Sequence, residues 1–208
     1  IRGAGSNIGG ELALTMADTA VGSGETLGTI RFQAPKVSAG GDSIETAAYI
    51  KAISSGTFSA TRNDTALTFA TAYSESATEK MRIDPNGNVG IGESSPGVEL
   101  DVAGRVAIGN QTELTIASGA ITITQSYHKV DTEGDASSDD LATINGGGTV
   151  GTILVLSAAN DSRTVVVKNG TGNIVCGADF TLDNSSDTIT LIWGGSQWMQ
   201  ISSSNNAA

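Results

Sequence analysis

Short runs in which apolar and polar residues alternate recur along most of this chain, and this period-two pattern predicts β-strands. In the first hundred residues it predicts strands at Glu11–Met16, Leu27–Gln33, Phe58–Thr61 and Ala66–Thr71. Residues 44–55 fit the pattern less clearly, because their apolar positions also form one face of a helix. The pattern alone leaves that window open between strand and helix. Residues 36–42 predict a small-residue loop.

The alternation is clearer in the second half, where it predicts about nine short strands separated by glycine-containing turns. They are Glu113–Ile116, Ala120–Gln125, Leu141–Ile144, Thr152–Leu156, Thr164–Lys168, Asn173–Cys176, Phe180–Leu182, Thr188–Trp193 and Trp198–Ile201. This spacing is typical of a compact sandwich or barrel. The runs Ile153–Leu156 and Val165–Val167 are apolar at every position, which predicts strands covered on both faces. The change of pattern places a domain boundary near residue 110.

The stretch from Met81 to Gly104 contains a hairpin signal with unusually small strands on either side. Pro85 restricts φ to a turn value, and Asn86-Gly87 is a strong hairpin dipeptide. Gly90 and Gly92 remove side chains, so this strand can approach another backbone closely. We therefore predict that Pro85, Asn86, Gly87, Gly90 and Gly92 serve backbone geometry and close packing, not ligand binding. Such a strand builds no core alone and needs neighbouring strands.

The same stretch also supports a family resemblance. Residues 79–92, followed by Ser95-Pro96 and Leu100-Asp-Val-Ala-Gly104, resemble the fibre modules of tailed-bacteriophage appendages. The resemblance implies a homotrimeric, all-β adhesion fibre on a virion, in which residues 44–55 form a strand. In the second half, residues 139–146, 153–156, 165–174 and 191–198 look like C-terminal domains attached to phage structural proteins. No segment matches the self-cleaving chaperone that ends many such fibres.

Composition supports a protein of short strands and tight turns. Glycine accounts for 27 of 208 residues and aromatic residues for only 4%. An apolar content of 38% with regular alternation argues against disorder. A net charge of −11 disfavours binding to nucleic acid or to anionic membranes. No apolar run is long enough to span a membrane, and the absence of an initiator methionine predicts a piece of a longer polypeptide.

Several motifs could carry chemistry, and each has a simpler interpretation. Gly146 to Gly151 match G-x-G-x-x-G, but a strand is predicted to follow where a dinucleotide site needs a helix. Asp131, Glu133 and Asp135 alternate as calcium ligands can, but the EF-hand glycine and glutamate are missing, so we favour a solvated loop. The single cysteine, Cys176, predicts a buried structural thiol and no intrachain disulfide. We predict neither a metal nor a cofactor.

Catalytic and receptor-binding residues are harder to predict. His128 is the only histidine, and we predict a surface or subunit-contact residue rather than a member of a catalytic triad. Carboxylates are too numerous for any pair to indicate a glycosidase, and aromatic residues are few, so we predict no enzyme. The candidate receptor contacts are Trp193, Trp198, Tyr127 and His128. The alternative for both tryptophans is that they close the hydrophobic end of the second domain.

Together these observations predict an all-β protein with a glycine-rich trimeric β shaft module at residues 1–110 and a β-sandwich-like head at residues 111–208. The predicted function is that of a non-enzymatic fibre on the phage surface, attached to the tail or to the head of the virion. It would bind a bacterial surface glycan or protein receptor through several weak contacts, with other virion proteins as partners. The alternatives are a virion decoration or connector protein and a polysaccharide-degrading tail spike.

Overall fold

The computed structural model describes residues 12–33 and 45–206, and the chain divides into two compact units. The first unit ends at Val106 and the second begins at Ala107. The described residues form strands and loops, with a single 3-10 turn at Glu133–Asp135. The all-β prediction is therefore confirmed.

The described residues of the first unit form one six-stranded sheet whose strands lie side by side in chain order. They are β1 (Thr26–Gln33), β2 (Thr46–Ser54), β3 (Thr65–Thr71), β4 (Thr78–Ile83), β5 (Val89–Ile91) and β6 (Leu100–Val102). Neighbouring strands are antiparallel except for the parallel pair β5–β6. Strand β2 shows that the ambiguous window is a strand.

Two strand predictions in the first unit are wrong. Residues 12–16 form no strand, and Leu14 lies against Gly28 of β1 instead. Residues 58–61 form a tight turn in which Ser59 and Arg62 exchange backbone hydrogen bonds. In both segments the side chains alternate over only a few residues, and alternation cannot show whether a partner strand is available. The loop predicted at 36–42 lies outside the described residues.

The hairpin loop between β4 and β5 is organised by the carboxylate of Asp84. This carboxylate accepts hydrogen bonds from the backbone N–H groups of Asn86 and Asn88, each at 2.8 Å. The N–H of Gly87 donates to the Asp84 carbonyl at 3.0 Å, and Gly87 has a φ of +89°. A residue with a Cβ would be strained there, so glycine suits this position.

The second unit contains eleven strands in three sheets. The large sheet has the order β14 (Ile174–Val175), β17 (Trp198–Ser204), β16 (Thr188–Trp193), β12 (Ile153–Ala158), β9 (Tyr127–Asp131) and β7 (Thr112–Thr115). A second sheet has the order β10 (Ser138–Leu141), β13 (Thr164–Val167) and β15 (Phe180–Leu182). The remaining pair is β11 (Thr143–Asn145) with β8 (Ala120–Thr122).

One hydrophobic core lies between these sheets. The large sheet contributes fully buried side chains such as Leu154, Leu156 and Leu191, and the smaller sheet contributes Val165 and Leu182. Alternate residues of each strand point into this core, as expected for a β-sandwich. The second unit is thus a sandwich that buries one face of each sheet.

This one-sided burial corrects the prediction that two strands are covered on both faces, and two further differences concern where the strands lie. Ile153 is 45% exposed and Val166 is only half-buried, so the apolar runs are not covered on both faces. The run Leu141–Ile144 is interrupted at Ala142 and divides between β10 and β11, which belong to different sheets. Strand β9 was not predicted.

Among the residues that the structure describes, no helix is long and apolar enough to cross a membrane.

A buried carboxylate fixes the turn that precedes β16. Asp187 is fully buried and accepts hydrogen bonds from the backbone N–H groups of Asp183 (3.1 Å), Asn184 (3.0 Å) and Asn206 (2.6 Å). Burial by itself raises the pKa of Asp187, but the hydrogen bonds from Asn206, Asp183 and Asn184 outweigh burial, so the pKa lies below its ordinary value. The charged form is therefore the one that the fold stabilises.

We expect Asp187→Asn to destabilise the second unit by about 1–3 kcal/mol at neutral pH, because an amide cannot accept from all three donors. Since the folded pKa is depressed, the stabilisation by Asp187 is present above the ordinary carboxyl pKa of about 4 and is lost as the pH falls through the folded pKa. The difference in urea midpoint between wild type and variant should therefore shrink on acidification. Tryptophan fluorescence reports this unit alone, because both tryptophans lie in it. A difference that stays constant down to the lowest pH would contradict the assignment.

Candidate binding cleft

A shallow cleft of about 220 Å³ opens on the surface of the second unit. One wall is the segment Ile123–Ser126, between β8 and β9, and the other is Gly146–Gly148, which follows β11. Thr152 directly precedes β12 and completes the lining. The walls are neighbours because β11 pairs in parallel with β8, which brings Asn145 next to Thr122.

The glycine wall depends on a close backbone contact with Trp193. A Cβ added to Gly147 would lie 2.3 Å from the indole ring of Trp193, so only glycine fits there. Gly146 and Gly148 have φ values of +98° and +66°, which also favour glycine. Strand β12 follows this loop, so the G-x-G-x-x-G match has the strand that was predicted and lacks the helix of a dinucleotide site.

The other wall is held in place by His128, which is fully buried in β9. Its Nε2 accepts hydrogen bonds from the backbone N–H groups of Thr124 (3.2 Å) and Gln125 (3.3 Å). Its Nδ1 lies 2.7 Å from the hydroxyl of Thr112. This geometry assigns a neutral imidazole with its proton on Nδ1, donating to Thr112.

The prediction of a surface histidine is therefore wrong. His128 alternates with Tyr127 and Lys129 along β9, so it shares the buried face with Val130. Both ring nitrogens have hydrogen-bond partners, so this polar side chain can be buried without an unsatisfied group. The prediction that His128 contacts a receptor is also wrong, because this side chain lies inside the protein and holds the cleft wall in place through its hydrogen bonds.

Tyr127 and Gln125 extend the polar network beside the cleft. The side-chain amide of Gln125 donates to the Thr112 hydroxyl at 3.1 Å, to the Tyr127 carbonyl at 3.2 Å and to the Asn110 carbonyl. The amide of Gln111 donates to the Tyr127 hydroxyl at 2.5 Å. Tyr127 is half-buried, and its hydroxyl hydrogen bonds to the exposed side chain of Gln111.

The two tryptophans form part of the core and of its edge. Trp198 is fully buried, and its indole N–H donates to the carbonyl of Ile144 at 3.1 Å. Its ring centre lies 5.3 Å from that of the half-buried Trp193. A direct receptor contact by Trp198 is corrected, because its side chain points inward from β17. The alternative, in which both tryptophans close the hydrophobic end, fits this arrangement.

Two carboxylates of the acidic run at the end of β9 pair with one arginine. Arg163 donates from Nε and Nη2 to the two carboxylate oxygens of Asp131 at 2.7 and 2.5 Å, and its Nη1 lies 2.7 Å from Asp135. The hydrogen bond to Asp131 is the main reason why the pKa of Arg163 is raised. Asp131 is only 6% exposed, so the prediction of a solvated loop is wrong at this residue. No group of three or more His, Cys, Asp or Glu side chains able to hold a metal occurs among the described residues.

The cleft offers hydrogen bonds without charge. Its polar residues are Thr124, Gln125, Ser126 and Thr152, and its lining includes no carboxylate, lysine or arginine. The amide of Gln125 and the hydroxyl of Thr152 already donate hydrogen bonds within the protein, so their oxygens are left as acceptors. Hydroxyl and amide groups both donate and accept hydrogen bonds. This chemistry fits a neutral polyhydroxylated ligand, and the lining contains no pair of acids for glycoside hydrolysis.

Comparison with known families gives one match. Residues 130–199 match a family model described as the phage depolymerase C-terminal beta sandwich domain. No curated protein matches the chain. The matched range runs from β9 into β17, about a third of the chain, and includes Gly146–Gly148, Thr152 and Trp193 but not Ile123–Ser126. This similarity supports a phage tail protein, and it agrees with the sandwich seen in the second unit.

Proposed function

We propose that this protein is a structural component of a phage tail fibre or spike that attaches the virion to the bacterial surface. The observation that carries the proposal is a sandwich similar to a phage depolymerase C-terminal domain, with an open, uncharged hydrogen-bonding cleft on it. Loops on a rigid β scaffold are common places for binding sites. The ligand would be a bacterial surface glycan, because sugar hydroxyls match the hydroxyl and amide lining.

We also propose that the protein is a homotrimer on the virion surface and that it contacts other virion proteins. A single glycan contact in one such open cleft is expected to be weak. Joining three copies converts the second and third contacts into intramolecular ones, which can strengthen attachment by about 10²–10⁴-fold. The fibre-module resemblance of residues 79–104 supports the trimer.

We propose that the chain itself is not an enzyme, since the cleft lining lacks the paired carboxylates that glycosidases use. The description of the matched family favours a second candidate, in which the chain works as part of a polysaccharide-degrading spike. Release of reducing sugars from purified bacterial polysaccharide would support that candidate. A decoration or connector protein would bind neither cells nor glycans.

We expect Thr124→Leu to weaken binding to bacterial cells by at least about tenfold, because it removes a hydroxyl from the cleft and fills part of its volume. Thr124 is exposed, and the backbone N–H that it donates to His128 is retained. The measurement is retention of fluorescently labelled protein on host cells, together with a glycan array.

Thr122→Leu is the matched control. Thr122 is also an exposed threonine, lies two residues earlier and is not part of the cleft lining. It should leave binding unchanged. Equal binding by the two variants would place recognition elsewhere on the protein. A wild-type protein that binds neither cells nor glycans would contradict the proposed function.

A further inference from the structure

The strand register of the first unit aligns an apolar surface across all six strands. One row contains Gly28, Ala52, Leu67, Ile83, Val89 and Leu100. The next row contains Ile30, Ile50, Phe69, Met81, Ile91 and Val102. Every position is apolar or glycine, and we call these two rows the apolar face.

The apolar face is covered only in part by the described residues, where Leu14 lies against Gly28. None of its twelve residues is buried, and Ile30, Ile91 and Leu100 are 43%, 44% and 61% exposed. Contiguous exposed apolar surface of this kind marks an interaction site in soluble proteins.

The opposite face of the same sheet needs no partner. Its small residues Ala66, Thr68 and Ala70 are already buried. Longer side chains on this face interact with one another: Lys51 Nζ lies 4.2 Å from the centre of the Tyr49 ring, and Arg82 pairs with Glu79 through two hydrogen bonds of 2.6 and 2.9 Å. The two faces therefore differ in both charge and burial.

The two edges of the apolar face differ in shape, with a recess at one edge and an exposed leucine at the other. At the β1–β2 edge, Gly28 and Ala52 leave an apolar recess of about 150 Å³, lined also by Leu14, Ile30 and Ile50. At the other edge, Leu100 of β6 is the most exposed member of the face. An apolar cavity of about 150 Å³ is large enough to hold benzene, so a leucine side chain is a suitable occupant.

Charge does not oppose a second copy of the chain at this face, although the chain as a whole is strongly acidic. Each copy has a net charge of −11, so two copies repel unless their contact surfaces are uncharged. The apolar face contains no charged residue. A contact that joins one edge of a face to the other edge of the next copy is heterologous, and such contacts form a closed ring when the rotation between successive copies closes after a whole number of copies.

We infer that the apolar face is the surface through which copies of this chain assemble, with Leu100 of one copy seated in the recess beside Gly28 and Ala52 of the next. The inference rests on the homotrimer of the proposed function and names the surface that builds it. Within one chain, Ala52 and Leu100 are four strand spacings apart, about 19 Å, which is far beyond the reach of a disulfide. A disulfide between these positions can therefore form only between copies.

The test is oxidation of the double variant Ala52→Cys/Leu100→Cys, with the native Cys176 replaced by serine. We expect covalent dimers and trimers on a denaturing gel under non-reducing conditions. The matched control is Lys51→Cys/Asp101→Cys, which places cysteines on the same two strands but on the opposite face. It should remain a single chain on the gel.

Leu100→Lys provides a second measurement that does not depend on cysteine chemistry. Because Leu100 is exposed at the end of the sheet, the variant should fold, and its mass by light scattering should fall threefold. Glu99→Lys, one residue earlier and also exposed, should leave the mass unchanged. A trimeric wild type whose Leu100→Lys variant stays trimeric and whose Ala52/Leu100 pair does not cross-link would overturn the surface while keeping the trimer. A monomeric wild type would overturn both, and cell binding would still be judged separately through the cleft.

Discussion

Replacing Gly90 by alanine is expected to destabilise the first unit by about 3 kcal/mol, one of the largest effects available in this chain. Gly90 is buried in β5, and a Cβ at this position would lie 2.1 Å from the carbonyl oxygen of Glu93. That oxygen belongs to the backbone, so the clash cannot be relieved by rotating a side chain. The loop after β5 has to move, and the pairing of β5 with β4 and β6 moves with it.

Hydrogen exchange of the amides in β4 to β6 measures this change directly, and tryptophan fluorescence of the second unit serves as an internal reference. Gly104→Ala is the matched control, since a Cβ there would meet no atom within 4 Å and no positive φ is involved. It should be neutral. Slow exchange in β5 of Gly90→Ala, equal to that of the wild type, would show that the close approach to Glu93 is not present in solution.

Gly90 also shows what the sequence can predict. Two glycines in a short strand indicated a close backbone approach, but not that the neighbour is the loop after the same strand. Clean alternation located most strands of the second unit, because one face of each is buried in the sandwich. Strand β9 was not predicted because its buried face does not consist of apolar residues alone. Its buried positions include His128 and Asp131, whose hydrogen bonds allow polar groups inside the core.

The cleft could not be predicted for a different reason. Its walls, Ile123–Ser126 and Gly146–Gly148, are far apart in sequence and meet only because β8 and β11 pair in parallel. The sequence did indicate that Gly146–Gly148 is a loop before a strand. It could not show that Trp193 packs on Gly147, or that His128 holds the facing segment. The sequence signal that could have shown the burial of His128 is its position in the alternating run, where it lies on the same face as Val130.

Trp198→Ala is expected to destabilise the second unit by about 4 kcal/mol, because it deletes the largest fully buried side chain of the chain's described residues. The loss includes the hydrogen bond to the Ile144 carbonyl, whose acceptor would be left beside a cavity. A typical domain has about 5–15 kcal/mol of stability, so the variant should unfold at a much lower urea concentration. Fluorescence of the remaining Trp193 measures the shift.

The same substitution separates a core role from a receptor contact. Met199 is the next residue on β17, points to the opposite side and is 43% exposed, so Met199→Ala should change the urea midpoint little. A residue that only contacts a receptor would lower cell binding on truncation and leave the midpoint unchanged. If Trp198→Ala behaved in that way, the buried position of its indole would be wrong, and the tryptophan would return as a candidate for direct recognition. A large shift in the urea midpoint would instead identify Trp198 as the residue that anchors β17 in the core. Trp193 packs beside Trp198, and the glycine wall of the cleft packs on Trp193, so the same side chain would also support the cleft.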